Sequence, residues 1–180
     1  MYRIDKLLKE ENRLFHTNDL AILWGIKNKN TLYTTIKRYV KKGILLPIHK
    51  GFYSTTGLSQ IHPYRLVRGY LHRFCYISCE TVLFDHGVIF QKGNYITIVS
   101  DISKRFSLGN YNFLVRKIKD EFLYNREGIL ETNAYFIASL ERAVGDILYF
   151  NPNYHFDNRK IINWLKVKAI QRKVGYIKFA

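Results

Sequence analysis

Three glycines divide the first 57 residues into short segments, and this division constrains the fold more than any other feature. Gly25 and Gly43 each stand where an apolar helical pattern stops, a position that glycine favours at helix C-termini. Gly51 belongs to a basic turn, His49-Lys50-Gly51, between two short apolar runs that indicate strands. This punctuation predicts small helices followed by a two-stranded hairpin.

Three short helices are predicted ahead of the hairpin, at about residues 2–12, 18–24 and 31–42. Apolar residues recur in each at three- and four-residue spacing, which is the period of one face of an α-helix. Thr17 suits the N-cap of the second helix, and Asn28 or Asn30 suits that of the third. The inward stripe of the third helix is expected to consist of Leu32, Ile36, Tyr39 and Val40.

The other face of the third helix is basic and rich in hydroxyl groups. A helix that enters the major groove needs such a face, because the groove admits a helix and displays the base edges. The hairpin turn adds a basic tip suited to the minor groove or to phosphates. The sequence therefore predicts a winged helix-turn-helix over residues 1–57 that binds double-stranded DNA through Asn28, Lys29, Asn30, Thr31, Thr34, Thr35, Lys37, Arg38, Lys41, Lys42, His49 and Lys50.

A second domain is expected over residues 58–180, after the small polar segment 54–57. Its predicted elements are helices at about 63–74, 78–86, 138–150 and 158–168, the last reaching as far as 173, a hairpin at 88–100, and strands at 111–118 and 129–136. Strands and helices mix without a βαβ rhythm, so the expected class is α+β, with a small sheet and C-terminal helices.

The net charge of +15 points to a polyanionic partner. The charge is concentrated at the two ends: residues 1–57 carry +7, residues 58–156 carry +2 and residues 157–180 carry +6. The basic C-terminal helix has three interpretations: a docked helix with a solvated face, a contact with an anionic membrane, or a second DNA contact. The residues of the second DNA contact would be Arg159, Lys160, Lys166, Lys168, Arg172 and Lys173.

No catalytic or metal site is predicted, so we expect a protein that is not an enzyme and has no cofactor. A nuclease would need clustered carboxylates with a lysine, and the pairs Asp101 with Lys104 and Asp120 with Glu121 do not form that pattern. Ser78 and Glu80 are better explained as the cap and first turn of a helix.

Two further pairs are expected to be structural. Cys75 and Cys79 would share a face if their segment were helical, and without further nearby ligands they suggest buried thiols. Arg142 and Asp146 are spaced four apart on a predicted helix, which favours an ion pair on the helix surface. A contact with a partner or between domains is the alternative for this second pair.

Three segments resemble the AbiEi-type antitoxins, the winged-helix regulators of type IV toxin–antitoxin (abortive infection) systems. They are RYVKKGILLPIHKGFYS at residues 38–54, YISCETVLFDHGVI at 76–89 and YFIASLERAVGDILYF at 135–150. The resemblance implies an autorepressor that binds repeats in its own promoter, beside the gene of a nucleotidyltransferase-like toxin. It also implies that the second domain carries the antitoxin activity.

Two alternatives stay open beside this expectation. The second domain could be an interaction module that neutralises a toxin by direct contact, and the aromatic content allows an RNA-binding protein. No membrane contact is expected of the protein as a whole. The N-terminal residues alternate in charge and lack the apolar core of a signal peptide, so we expect a cytoplasmic protein.

Overall fold

The computed structural model describes residues 3–176 and divides the chain into two compact units, Met1–His72 and Arg73–Ala180. The described part contains eight α-helices and two sheets, so the expected α+β class is confirmed. Among residues 3–176, no helix is both long and apolar enough to cross a membrane.

The first unit combines four helices with a small antiparallel sheet. Its elements are α1 (Arg3–Lys9), β1 (Leu14–His16), α2 (Thr17–Trp24), α3 (Lys29–Lys41), β2 (Leu46–His49), β3 (Phe52–Ser54), a 3-10 turn (Leu58–Gln60) and α4 (Pro63–Leu71). The strands are ordered β1-β3-β2. The predicted helices and hairpin are confirmed with shifted ends, but the N-cap of α2 is His16 and not Thr17, which is already helical. The three-residue strand β1 is too short to give a periodic signal.

The core of the first unit lies under α3. Its buried members are Leu7, Phe15, Leu20, Trp24, Ile26, Leu32, Ile36, Tyr39 and Leu45. They come from α1, β1, α2 and α3, from the turn between α2 and α3, and from the loop before β2, so the apolar stripes predicted for the helices meet in one cluster. Burying apolar surface at about 25 cal/mol per Å² is the main term that holds such a cluster together.

The first unit extends to His72, past Gly57 where the sequence suggested the boundary. Helix α4 packs against β1 and buries Leu66, Val67 and Leu71. The two elements approach so closely that a Cβ at Gly69 would lie 2.8 Å from Leu14 Cδ1. Nothing in the composition of residues 54–57 signals this contact, because it depends on a glycine meeting a strand.

The second unit is built on a mixed six-stranded sheet in the order β6-β7-β5-β4-β9-β8. The strands are β4 (Cys75–Ile77), β5 (Ile96–Ser100), β6 (Lys104–Leu108), β7 (Tyr111–Lys117), β8 (Ile129–Glu131) and β9 (Phe136–Ala138). The helices are α5 (Glu80–Asp85), α6 (Asp120–Leu123), α7 (Leu140–Phe150) and α8 (Trp164–Val174), with a 3-10 turn at Arg159–Ile161. The pairs β5–β7 and β4–β9 are parallel, and the other pairs are antiparallel.

Two strand predictions in this unit are wrong. Residues 88–95 form no strand, and β5 pairs with β4 and β7 instead of a hairpin partner. The apolar residues 88–90 form hydrogen bonds with the segment before the 3-10 turn instead of with a strand. Asn158 N donates to the Val88 carbonyl at 3.0 Å, and Phe90 N donates to the Asp157 carboxylate at 2.8 Å. The single strand predicted at 129–136 is two strands, β8 and β9, which pair with each other.

Three predictions near the helices also need correction. Residues 158–163 hold the 3-10 turn, and the basic helix α8 begins only at Trp164. Ser78 is not a helix cap: it is fully buried and its hydroxyl donates to Asp146 Oδ2 at 2.7 Å. Cys75 lies on β4 and Cys79 precedes α5, so they share no helix face, although both are buried as expected and neither is in a disulfide.

The Arg142–Asp146 pair exists, but its predicted surface location is wrong. Arg142 Nε donates to Asp146 Oδ1 at 2.9 Å, and both side chains have 0% exposure. Helix α7 packs against α5, α8 and β9, so residues 142–147 are all buried. Enclosure on several sides, which a helical period cannot indicate, places the ion pair in the interior.

Candidate nucleic-acid interface

Helices α2 and α3 are joined by a tight turn that begins at Gly25. Gly25 has φ 65° and ψ 31°, a left-handed conformation that a side chain disfavours, and its N–H donates to the carbonyl of Ile22 at 3.1 Å. The turn ends at Asn28, whose side-chain oxygen accepts from Thr31 N at 3.1 Å and caps α3. Residues 25–28 thus link α2 to α3 in a short turn that contains a left-handed glycine.

The inner face of α3 consists of Leu32, Thr35, Ile36 and Tyr39, which are buried. Thr35, which the sequence predicted to face DNA, lies instead on this buried face, so that prediction is wrong. It is 5% exposed and its hydroxyl donates to the Thr31 carbonyl at 2.8 Å. It falls three residues after Leu32 and four before Tyr39, so the helical period carries it to the core side.

The outer face of α3 is a row of polar side chains centred opposite the buried residues. With about 3.6 residues per turn, the outermost positions are those at intervals of four, three and four. These positions, here called the outward row, are occupied by Asn30, Thr34, Lys37 and Lys41, all of them exposed. Along the chain, the row begins with two neutral hydrogen-bonding side chains, Asn30 and Thr34, and ends with two cations, Lys37 and Lys41.

Other predicted residues flank the outward row. Thr31 and Arg38 lie on one side of it, and the Arg38 guanidinium lies 5.7 Å from the centroid of the Tyr39 ring. Lys29 lies on the other side, and Lys42 caps the C-terminus of the helix. Lys29, Thr31, Arg38 and Lys42 are all exposed.

Tyr33 is an exposed residue of α3 that the sequence prediction omitted. Its side chain is 52% exposed and lies beside the outward row, on the same side as Lys29. Its spacing of four residues from both Lys29 and Lys37 was the signal that could have identified it. An aromatic side chain at this place offers an apolar ring and a hydroxyl to any molecule that binds α3.

The turn between β2 and β3 is short and is anchored to α2. His49 pairs with Phe52, so the loop itself is Lys50-Gly51. The carbonyl of Gly51 accepts from Thr17 N at 2.9 Å and from the Thr17 hydroxyl at 3.3 Å. His49 and Lys50 are exposed, so the turn presents one cation beside one imidazole on a fixed backbone.

The stretch of chain that holds α3, the hairpin and α4 is positively charged. No Asp or Glu occurs between Asp19 and Glu80, so α3, the hairpin and α4 carry cations without a carboxylate among them. Arg65 and Arg68 on α4 belong to the same acid-free stretch. A surface of this kind attracts polyanions and repels other cationic surfaces.

The cations of the second predicted contact lie in the second unit and are all exposed. Arg159 is on the 3-10 turn, where its guanidinium lies 5.1 Å from the centroid of the Trp164 ring. Lys173 is partly neutralised, because its Nζ lies 2.8 Å from Glu127 Oε1. Leu165, 82% exposed, projects from the same side of α8 as Lys168 and Arg172.

Two of the carboxylates considered for catalysis form ion pairs with arginines. Asp101 binds Arg73 at 2.7 Å, and this hydrogen bond holds the pKa of Asp101 below its ordinary value. Glu80 is paired with Arg116. Among residues 3–176, no group of three His, Cys, Asp or Glu side chains is arranged to hold a metal ion.

No protein-family model matches this chain, and no curated protein matches it in sequence.

Proposed function

We propose that the first unit is a winged helix-turn-helix domain and that the chain is a sequence-specific regulator that binds double-stranded DNA. The observation that carries the proposal is the outward row of α3, in which two neutral hydrogen-bonding side chains are followed by two lysines, within a stretch of the chain that has no acidic residue. In a helix-turn-helix, the N-terminal residues of the second helix contact base edges. The outward row has its neutral hydrogen-bonding groups at that end.

The order of elements supports this assignment. Helix, strand, two helices and a hairpin follow one another, and β3 pairs with both β1 and β2. The proposed recognition helix is α3, and the proposed wing is the turn at Lys50 and Gly51. The contacting residues would be Asn28, Lys29, Asn30, Thr31, Thr34, Lys37, Arg38, Lys41, Lys42, His49 and Lys50, with Tyr33 added and Thr35 omitted.

Duplex DNA fits this surface better than RNA does. The major groove of B-DNA is wide enough for a helix, whereas that of A-form RNA is too narrow for side chains to read. Single-strand recognition uses exposed aromatic side chains as stacking platforms. On α3 the exposed aromatic is Tyr33 alone, because Tyr39 is buried.

Changing Lys37 and Lys41 to Gln should weaken duplex binding and make it less sensitive to salt. Each lost phosphate contact makes the slope of log K against log salt less negative by about 0.9, so we expect the steepness of the slope to decrease by about 2. Fluorescence anisotropy of the full chain on a duplex from its own upstream region, titrated with KCl, measures the slope. Both lysines are exposed, so the fold should be unaffected.

The matched control changes Lys117 and Lys119, two exposed lysines of the second unit, to Gln. This variant removes the same charge from a different surface and should keep the slope of the original protein. An equal reduction in both variants would mean that net charge, and not α3, determines the binding. If the original protein shows no salt-dependent binding to duplex DNA, the proposed function is refuted.

The resemblance to AbiEi-type antitoxins extends the proposal to biological role. On that basis the chain would repress its own operon by binding promoter repeats, and the second unit would counteract a nucleotidyltransferase-like toxin encoded beside it. Co-purification with the neighbouring gene product would distinguish neutralisation by contact from regulation alone. This part of the proposal rests on the resemblance and not on the contacts of α3.

We also propose that α8 makes a second contact with DNA phosphates. Between Asn158 and Tyr176 the chain has no acidic residue, and Lys166 and Lys168 are exposed on α8. An anionic membrane fits less well, because the other face of α8 is already buried and Leu165 is the main apolar side chain left outside.

Changing Lys166 and Lys168 to Gln is therefore expected to decrease the steepness of the slope of log K against log salt by about 2, in the same anisotropy assay. Leu165→Gln should leave duplex binding unchanged, since phosphates do not need a leucine. If the lysine variant keeps the full slope, the face of α8 is merely solvated. If Leu165→Gln alone abolishes a contact with a co-purifying protein, α8 is a protein-docking surface instead.

A further inference from the structure

The first two turns of α3 carry no guanidinium. Their exposed side chains are Lys29, Asn30, Thr31, Tyr33 and Thr34, and the helix has its one arginine, Arg38, in the third turn. Guanine is most often read by arginine or lysine, whose N–H groups pair with O6 and N7. Lys29 lies at the flank of the outward row, so the central position of the first turn belongs to an amide, that of Asn30.

The Asn30 amide is available for recognition. The cap of α3 is made by Asn28, whose oxygen accepts from Thr31 N at 3.1 Å, so the amide of Asn30 is not needed there. Within residues 3–176, the Asn30 side chain has no hydrogen bond or ion pair, and it is exposed at the centre of the outer face. An amide has a donor and an acceptor side by side, which matches N7 and the N6 amino group of adenine.

The next position of the outward row presents a methyl and a hydroxyl group. Thr34 lies one turn after Asn30, about 6 Å along the helix, which corresponds to about two base pairs. Unlike Thr35, whose hydroxyl is bound to the Thr31 carbonyl, Thr34 is exposed and has both groups free for a ligand. The ring of Tyr33 lies next to it, 52% exposed.

We infer that α3 reads A·T base pairs: Asn30 pairs with an adenine, and Thr34 with Tyr33 contacts a thymine methyl group about two base pairs away. This inference rests on the proposed function, because it assumes that α3 enters the major groove. Lys37 and Lys41 lie further along the outward row and supply cations for phosphates or for a base pair outside this core.

The test is selection of bound duplexes from a randomised library by the full chain, followed by affinity measurements on the selected site. The expected consensus has A·T pairs at the core. Replacing the adenine opposite Asn30 by guanine should then weaken binding roughly 5- to 100-fold, the range typical of a lost bidentate contact. Asn30→Ala should bind the two sites equally, and Asn30→Gln should retain the preference for adenine.

A matched control separates recognition from general affinity. Lys37→Gln should weaken binding to both sites by the same factor and keep their ratio. A selected core of G·C pairs, or an undiminished preference for adenine in Asn30→Ala, would overturn the inference while leaving DNA binding intact. Failure of the original protein to enrich any sequence would instead contradict sequence-specific binding itself.

Discussion

Changing Asp146 to Ala is expected to lower the free energy of unfolding of the second unit by about 3–5 kcal/mol, the cost of leaving a buried charge without its partner. The charge left behind is the guanidinium of Arg142, which has 0% exposure. Denaturant unfolding, followed together with hydrogen exchange of peptides from residues 73–176, measures the loss.

The surroundings of Arg142 explain why it cannot adapt to this loss. Its N–H groups also donate to the carbonyls of Phe122, Asn125 and Glu127 at 2.9, 3.1 and 2.9 Å and to the Tyr76 hydroxyl at 3.0 Å. Those four bonds hold the guanidinium in place and provide no negative charge. Burial alone would lower the pKa of Arg142, but Asp146 and two neighbouring tyrosines raise it above its ordinary value, so the side chain stays charged.

The carboxylate is bound as fully as the guanidinium. Asp146 accepts from the Ser78 hydroxyl at 2.7 Å and from the Tyr176 hydroxyl. Burial, followed by the charge of Asp146, raises the pKa of Tyr76 and Tyr176 above the ordinary tyrosine value, so both phenols stay protonated at neutral pH. The cluster joins β4, α7 and the segment after α8, which is why its loss should affect the whole unit.

The control for Asp146→Ala is Glu127→Gln, which breaks the exposed ion pair with Lys173. Exposed pairs contribute about 0–1 kcal/mol, so this variant should unfold almost as the original protein does. If Asp146→Ala also costs less than about 1 kcal/mol, the pair behaves like a surface ion pair and its burial has no energetic consequence.

Changing Phe52 to Ala is expected to cost about 3–5 kcal/mol in the first unit. Phe52 lies on the central strand β3, has 0% exposure, and its ring packs against His16 and Tyr70 with centroids 4.6 and 5.6 Å away. A unit of this length has a total stability of about 4–11 kcal/mol, so the loss removes much of it. Hydrogen exchange in residues 3–72 should rise, and duplex binding should fall.

The comparison variant is Phe90→Ala, at a phenylalanine of the second unit that is 69% exposed. Truncating an exposed side chain usually changes stability by less than about 0.5 kcal/mol. If Phe52→Ala unfolds the first unit but duplex affinity does not change, DNA binding does not require the folded first unit, and the proposed function fails.

Much of the first unit could be predicted because its signals are local. Gly25, Asn28 and the stripe through Leu32, Ile36 and Tyr39 act within one or two turns of helix, and all have the predicted roles. Thr35 was misassigned because a threonine is compatible with either face of a helix. Its position in the period, read strictly, places it with Ile36 in the core.

The second unit was harder to predict because its elements depend on partners distant in the chain. The apolar run at 88–90 resembles a strand, yet its backbone binds Asn158 and Asp157, nearly 70 residues later. Strand β4 is only three residues long and is recognisable by its pairing with β5 and β9. Short strands carry too few residues for a period to emerge.

The sequence by itself determined the helices of the first unit, the basic turn after them, the α+β class and the uneven distribution of charge, because these follow from spacing, caps and composition. Tertiary structure decided where the first unit ends and that Arg142 and Asp146 lie in the interior. The reason is physical: a period specifies a face, but what covers that face is set by elements that arrive from elsewhere in the chain.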